Sequence, residues 1–285
     1  MTKAKKNIIE FKQVYKKMGQ HQILENINFS LGKGEVLGII GANGSGKTTI
    51  LRLAAGLSYP SSGQILVNDN VITPGKIGNL PESIGILIEA PSFMDHLTGF
   101  TNLYYLSKIR NIITKQDIIQ SLIDVGLDPY NTKKVRQYSL GMRQRLGIAQ
   151  AIMEKPQLIL FDEPTNGLDQ EGILQFSNII RTLTEQGTSF LFVSHSTDEI
   201  QQLCDRVLKI KNKSLVQEDN VNFKEWHIVL SNLEDVERVL QAKSDIRLTE
   251  RHEGKPVIVA RFTTEEELKI FFNKFNFSYE IFKVV

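Results

Sequence analysis

The sequence has little of several features that would direct it to particular protein classes. It has 285 residues but a single cysteine, Cys204, which excludes an internal disulfide and fits a reducing compartment. Its 34 Lys and Arg residues are nearly balanced by 32 Asp and Glu residues, so the formal net charge is only +2. A charge this small does not indicate a nucleic-acid partner, and we expect none. The composition is that of an ordinary globular protein.

Long hydrophobic runs are also missing. Apolar runs such as Leu158 to Phe161 and Phe190 to Val193 are only a few residues long, far short of the roughly 20 residues that a membrane-spanning helix needs. The segment Met1 to Lys6 carries three lysines and has no apolar core behind it, so it does not have the pattern of a secretory signal. We expect a cytoplasmic protein.

The most informative segment lies between the apolar run Val36 to Ile40 and a helical pattern that begins near Thr48. It has the spacing G-x-x-x-x-G-K-[ST], in which backbone N–H groups surround a chain of phosphates. Lys47 is expected to reach the β- and γ-phosphates, and the Thr48 hydroxyl to ligate Mg²⁺. The residues predicted to bind the phosphates are Gly41, Ala42, Asn43, Gly44, Ser45, Gly46, Lys47, Thr48 and Thr49.

The remaining pattern predicts an α/β fold. Unalternating apolar runs at Val36 to Ile40, Leu158 to Phe161 and Ser189 to Val193 are typical of strands covered on both faces in a parallel sheet. The segments Ile8 to Val14, Ile23 to Leu31 and Gln64 to Asn68, broken by turn signals, indicate an antiparallel β layer. Apolar stripes at helical spacing between residues 98 and 155 predict a helical subdomain inserted into this core.

Three side chains are expected beside the phosphate loop because they follow buried strands, where α/β sheets place their ligands. Asp162 is suited to hold Mg²⁺ directly or through water, and Glu163 to polarise an attacking water as general base. Both acids could instead cap the turn at Pro164. His195 follows the next apolar strand and could donate to a γ-phosphate or to the attacking water, although alone it could equally be a turn histidine.

Together these motifs resemble the nucleotide-binding domain of ABC transporters, over about Ile8 to Ser214. The segment Tyr138 to Leu146 resembles the family signature, with Leu140 and Met142 in place of the usual glycine and glutamine. Ser139 and Gly141 are kept, and the resemblance implies that they contact the ATP held by a second cassette. Ser139 is also expected to open a helix and so form a second anion site. Asn166 to Asp169 resembles the family's D-loop at the dimer seam.

Other departures from the family pattern concern Glu89 and Met18. Glu89 stands where a glutamine is usual; a carboxylate can still ligate Mg²⁺ but cannot donate amide hydrogen bonds. Glu at this position resembles bacterial exporters of the bacitracin and lantibiotic-immunity type, whose cassettes pair with separately encoded permeases, although neutral drift would also explain it. Met18 occupies the place of the aromatic residue that stacks on adenine, and Tyr15 could compensate.

The loop after Glu89 runs from Ala90 to Leu97 and is rich in apolar residues. We expect Phe93, Met94 and Leu97 to help form a groove for a permease helix, although they could instead pack against their own subdomain.

The C-terminal residues read as β-α-β-β-α-β, the order of a ferredoxin-like unit. The predicted domains are residues 1–214, the cassette with its helical subdomain at about 98–155, and residues 215–285, a small α+β domain.

The resemblance implies an ATPase subunit that binds ATP and Mg²⁺, dimerises with a second cassette when ATP is bound, and lies on the inner face of the cell membrane through a permease. The expected task is export of an antimicrobial peptide, lantibiotic or drug, and hence antibiotic resistance. The alternative is a soluble ABC ATPase acting in translation or DNA repair. Those families usually have two cassettes in one chain or a long coiled-coil insert, and this chain has neither feature.

Overall fold

A computed structural model describes residues 6–73, 83–89, 91–195, 203–217, 224–242, 246–249, 252, 254–262, 265–273, 275 and 278–284. Ala90, in the predicted permease groove, and Val285, at the predicted end of the last strand, lie outside these residues. The chain divides into two compact units, Met1–Gln217 and Glu218–Val285. Within the described part of the chain, no helix is long and apolar enough to cross a membrane.

The described residues of the first unit alternate strands and helices in the order that the apolar runs predict. The elements are β1 (Asn7–Met18), β2 (His21–Gly32), β3 (Val36–Ile40), α1 (Lys47–Ala54), β4 (Ser62–Val67), β5 (Asn70–Val71), β6 (Ile84–Leu87), α2 (Gly99–Arg110), α3 (Lys115–Asp124), a 3₁₀ turn (Val135–Gln137), α4 (Leu140–Ile152), β7 (Leu158–Asp162), α5 (Gln170–Glu185), β8 (Ser189–Ser194), β9 (Arg206–Lys211) and β10 (Ser214–Gln217).

Two sheets form the first unit among the described residues. One is antiparallel, in the order β2-β1-β4-β5. The other has the order β10-β9-β3-β8-β7-β6, in which β3, β6, β7, β8 and β9 run parallel and β10 is an antiparallel edge strand. The carboxyl ends of the parallel strands therefore lie at one edge, where α/β sheets collect functional side chains.

Each face of the parallel sheet has its own core. Leu37, Leu160 and Val193 on one face share a buried cluster with α1 and with the antiparallel sheet. On the other face, Phe161 lies 5.7 Å from Phe192 and 5.6 Å from Phe176 of α5, measured between ring centroids. Burial on both faces explains why these strands are apolar without alternation. Truncating a buried aromatic such as Phe176 to Ala would cost about 3–5 kcal/mol of stability.

The predicted helical insert is present as α2, α3 and α4. Its helices begin at hydroxyl caps: Thr98 accepts from the backbone N–H of Thr101, and Thr114 and Asp117 form a reciprocal capping box. The buried Asn102 side chain accepts from the N–H of Met94 at 2.8 Å and donates to its carbonyl at 3.1 Å. This contact holds the loop after Glu89 against α2.

The second unit contains β11 (Lys224–Leu230), α6 (Leu233–Ala242), β12 (Arg247–Leu248), β13 (Val257–Phe262), α7 (Glu265–Asn273) and β14 (Tyr279–Val284). Its sheet is antiparallel with the order β12-β13-β11-β14, the arrangement of a ferredoxin-like unit. Trp226, Ile258 and Phe272 are buried in its own core.

The boundary between the units differs from the expected one. The sequence places the end of the cassette after residue 214, but this position is the first residue of β10, which pairs with β9 and belongs to the first unit. The strand is only four residues long, too short for its pattern to indicate where the first unit ends.

Candidate functional site

The phosphate loop connects β3 to α1 at the carboxyl edge of the parallel sheet. Gly46, the residue before the helix, has φ of 105°, and a Cβ there would approach a side-chain carbon of Leu24 to 2.7 Å. Glycine is therefore required on both conformational and steric grounds. The first N–H groups of α1 are left free by this geometry and carry the positive end of the helix dipole, which favours an anion.

Two side chains of the loop are arranged for a ligand. The Lys47 ammonium is buried and donates to the carbonyls of Gly41 at 2.8 Å and Ala42 at 3.2 Å. The Ser45 hydroxyl is buried without a hydrogen-bond partner, a condition that it shares with only one other side-chain atom in the described residues. Buried polar atoms are normally paired, so an orphan hydroxyl in a glycine loop fits a phosphate oxygen as its partner.

Thr48 and Asp162 form the second part of the site. The Thr48 hydroxyl donates to the Asp162 carboxylate at 2.7 Å, which joins the start of α1 to the end of β7. Burial raises the pKa of Asp162, against the opposing effect of the Thr48 hydrogen bond, and the neighbouring Glu163 raises it further. A hydroxyl and a carboxylate are the hard oxygen donors that Mg²⁺ uses together with phosphate oxygens and water.

Glu163 is held in one orientation by two neighbours. Its backbone is left-handed, with φ of 47°, which is uncommon for a residue other than glycine. One carboxylate oxygen accepts from the Ser194 hydroxyl at 2.9 Å; the other accepts from the backbone N–H of His195 at 2.9 Å and lies 2.8 Å from its Nδ1. An acid fixed in this way at a strand end can accept a proton from a correctly placed water.

Glu89 lies two residues beyond β6 and forms an ion pair with Arg52 of α1. Both side chains are partly exposed, and Glu89 also has a left-handed backbone, with φ of 66°. Within the described residues, no group of three or more acidic, His or Cys side chains is placed to hold a metal. Magnesium at phosphates usually needs only one or two carboxylates from the protein.

Ser139 begins α4, as expected, and accepts from the backbone N–H of Met142 at 3.2 Å. It lines an open cavity of about 680 Å³ with Gly141 and Gly167. The two backbones approach closely, because a Cβ on Gly141 would lie 2.7 Å from the Gly167 carbonyl oxygen, and Gly167 itself has a left-handed backbone with φ of 80°. Glycine is therefore needed at both positions, and this cavity is separate from the phosphate loop.

Polar contacts tie this second cavity to the carboxylate strand. Gln144 of α4 donates to the Pro164 carbonyl at 2.9 Å. Arg145 donates to Asp169 at 3.0 Å and to the Val125 carbonyl at 3.1 Å. Asp169 caps α5 by accepting from the N–H of Gly172, and this hydrogen bond lowers its pKa. The arrangement links the start of α4 to the segment that follows Glu163.

Residues 24–166 match the family described as ABC transporter, and this range contains the phosphate loop together with Ser139, Gly141, Asp162 and Glu163. The chain belongs to the ABC transporter ATP-binding family. It is an ATP-binding, ATP-hydrolysing subunit of an ABC transporter, and this agrees with the transporter prediction rather than with the soluble alternative.

Curated relatives of this ATP-binding subunit come from bacteria. The ABC transporter ATP-binding protein YybJ of Bacillus subtilis is 38% identical over 217 residues, covering 76% of this chain and 99% of that protein. The bacitracin transport ATP-binding protein BcrA of Enterococcus faecalis is 38% identical over 75% of this chain and 70% of its own length. The lantibiotic transport ATP-binding protein SrtF of Streptococcus pyogenes is 33% identical over 70% of this chain and 84% of its own.

Solved cassettes share the fold of this subunit. Clostridium perfringens cbiO1, part of the cbiONQ ABC transporter complex, has a TM-score of 0.65 and 25% identity, covering 74% of this chain and 87% of its own. An ATP-binding cassette solved as a dimer in a post-hydrolysis state with ADP and phosphate has a TM-score of 0.67 and 24% identity, over 73% of this chain and 97% of its own. These likenesses show the P-loop NTPase fold and agree with the predicted α/β core, antiparallel β layer and helical insert.

The structure brings most of the predicted site residues of the ABC subunit to one edge of the parallel sheet and leaves Ser139 and Gly141 at the second cavity. Sequence reasoning missed Ser194, which ends a buried strand immediately before His195, and that position was an available signal. It also missed Arg52. No local sequence pattern indicates that an arginine on α1 pairs with an acid 37 residues later in the chain.

Proposed function

We propose that this subunit hydrolyses ATP to power export of an antimicrobial peptide, lantibiotic or related drug through a separately encoded permease. The observation that carries the ATPase mechanism is the arrangement of Glu163, which Ser194 and His195 hold at the sheet edge next to the Thr48–Asp162 pair. This is the geometry that general-base activation of a water beside a phosphate chain requires.

Residue roles follow from the contacts. Lys47, freed from the Gly41 and Ala42 carbonyls, donates to the β- and γ-phosphates, and the N–H groups of residues 41–49 surround them. Thr48 and Asp162 hold Mg²⁺, with Glu89 as a further ligand; the ion would neutralise and orient the phosphate oxygens. Glu163 accepts the proton of the attacking water, and His195 positions Glu163 and donates toward the γ-phosphate.

We further propose that each nucleotide-binding site is completed by residues of a second copy of the cassette. Ser139 and Gly141 line a cavity that is separate from the phosphate loop of their own chain, and the N-terminus of α4 favours an anion there. Two chains arranged so that each supplies this cavity to the other would enclose two ATP molecules. Adenine would stack on Met18 or Tyr15; Met18 is 47% exposed and available for such a contact.

The permease is the remaining partner, and it would hold the subunit at the inner face of the cell membrane. Of the three loop residues proposed to contact it, Met94 is exposed, whereas Phe93 and Leu97 are half-buried. Asn102 fixes the backbone of this loop. A constrained loop with an exposed methionine suits an amphipathic helix laid against it.

Support for the class of substrate comes from relatives whose names specify bacitracin or lantibiotic transport, together with Glu89. The test is to express the subunit with its separately encoded permease and to measure growth in bacitracin and in a lantibiotic. Wild type should raise the tolerated concentration of one of them, and Glu163→Gln should not. Equal sensitivity of cells with wild type and with the empty vector, for every compound tested, would contradict export of this class.

A further inference from the structure

Arg52 and Thr48 lie on one face of α1, because residues four apart on a helix are neighbours. Thr48 donates to Asp162 at the end of β7, and Arg52 pairs with Glu89 beyond β6. The two strands are adjacent and parallel, with Leu87 opposite Phe161, so both acids leave the sheet at the same edge. One face of a single helix therefore contacts both carboxylates proposed for Mg²⁺.

We propose that Arg52 is a positioning residue for Glu89: it holds the carboxylate against α1 and competes with Mg²⁺ for it, and so sets the Mg²⁺ concentration at which ATP binds. This inference rests on the proposed function of Glu89 as a Mg²⁺ ligand. The proposal gives a reason for the pairing of Glu89 with Arg52, because a glutamine at position 89 would have no net charge for the guanidinium to hold.

The exposure of the pair makes this exchange of partners physically reasonable. The Arg52 side chain is 41% exposed and that of Glu89 62% exposed, and ion pairs with this much exposure are weak. A divalent cation with phosphate oxygens already bound is a stronger partner for a carboxylate than a solvated guanidinium. Glu89 immediately precedes the loop that Asn102 of α2 anchors at Met94, so the exchange of partners would take place next to that loop.

The experiment measures binding of a fluorescent ATP analogue, at fixed concentration, as Mg²⁺ is titrated into the full chain carrying Glu163→Gln, so that turnover does not interfere. Arg52→Gln should lower the half-saturating Mg²⁺ concentration by about twofold to fivefold. Arg52→Lys should stay near the parent because it keeps the charge. Glu89→Gln should raise the Mg²⁺ concentration needed by a similar factor.

The decisive measurement adds Arg52→Gln to Glu89→Gln. If Arg52 acts through Glu89, this second change should have no effect. If Arg52→Gln lowered the half-saturating Mg²⁺ concentration equally with Glu89 present and in Glu89→Gln, Arg52 would act only through its charge at a distance. If it lowered that concentration in neither, the proposal would also be overturned. Arg110→Gln is the control and should change nothing: it removes the same charge from the last residue of α2, where Arg110 forms an ion pair with Glu154. Failure of the parent chain to bind nucleotide with Mg²⁺ would instead contradict the proposed function.

Discussion

Nδ1 of His195 lies 2.8 Å from a carboxylate oxygen of Glu163, and the backbone N–H of the same histidine donates to that oxygen. Ser194 donates to the other oxygen. The acid and the histidine therefore form one unit whose geometry is fixed before nucleotide arrives. Their roles are expected to be separable by mutation, since one accepts a proton and the other orients the acceptor.

Glu163→Gln should retain ATP binding and lose about 10²–10⁴-fold in turnover, because an amide cannot accept the proton of the attacking water. Lys47→Ala should instead abolish binding, because the charge at the phosphate loop is removed. Equilibrium binding and phosphate release, measured on the same preparations, distinguish the two variants. A wild-type turnover rate in Glu163→Gln would show that the general-base assignment is wrong.

His195→Ala should lower turnover by about 10²-fold with nucleotide affinity little changed, because a preorganised donor and the orientation of Glu163 are lost together. Ser194→Ala removes one hydrogen bond to the other oxygen and should cost about tenfold. Combining His195→Ala with Glu163→Gln should add little to Glu163→Gln alone, since residues acting as a unit are not additive. If the double variant lost turnover by the product of the two single losses, Glu163 and His195 would not act as one unit.

Part of this site could be predicted from the sequence, because it depends on local patterns. Leu158 to Phe161 is apolar without alternation because both sheet faces cover it, and an acid that follows such a strand must lie at the ligand edge. The pairing of Arg52 with Glu89 could not be predicted, because it depends on how far α1 extends over the end of β6. The end of the first unit was also missed, since an edge strand such as β10 has no distinctive pattern.

The oligomeric state should depend on nucleotide. Alone, the chain should have its monomer mass of 32.3 kDa. The Glu163→Gln variant with ATP and Mg²⁺ should reach twice that mass if, as we propose, each site needs Ser139 and Gly141 of the other copy. Light scattering measures this directly. Ser139→Asp, which keeps an oxygen able to cap α4 and places a negative charge where phosphate is expected, should prevent the shift without lowering thermal stability. No change of mass with ATP, even with the permease present, would argue against a dimer that encloses two ATP molecules.

Asp162→Asn should raise the thermal stability of the nucleotide-free protein at pH 7. Burial raises the pKa of Asp162 above its value in the unfolded chain, so the ionised form destabilises the fold, and this penalty disappears as pH falls below the unfolded value of about 3.8. The gain in Tm should therefore shrink toward pH 4. The same variant should lose Mg²⁺-dependent nucleotide binding, because it removes a carboxylate that we propose as a Mg²⁺ ligand.

Asp117→Asn is the matched control, with the opposite sign. Hydrogen bonds from Thr114 lower the pKa of Asp117, so its ionised form stabilises the fold above the unfolded value, and this stabilisation is lost as pH falls through the lowered pKa. Asp117→Asn should lower Tm at pH 7 and leave nucleotide binding unchanged. If both variants shifted Tm in the same direction, burial would not be the cause of the effect at Asp162.

The last prediction concerns the loop beyond Glu89 and its proposed contact with the permease. Met94→Asp and Phe93→Asp each place a charge where an apolar helix is expected to dock. Met94 is 44% exposed, so Met94→Asp should leave basal ATPase and Tm unchanged but abolish drug resistance in cells. Phe93 is half-buried, so Phe93→Asp should show the same uncoupling with some loss of stability.

Ile109→Asp, at a residue of α2 that is 79% exposed, makes the same chemical change outside the loop and should leave resistance intact. Loss of ATPase and resistance together in Met94→Asp would assign the residue to the fold of the cassette, since a pure docking residue is needed only when the permease is present.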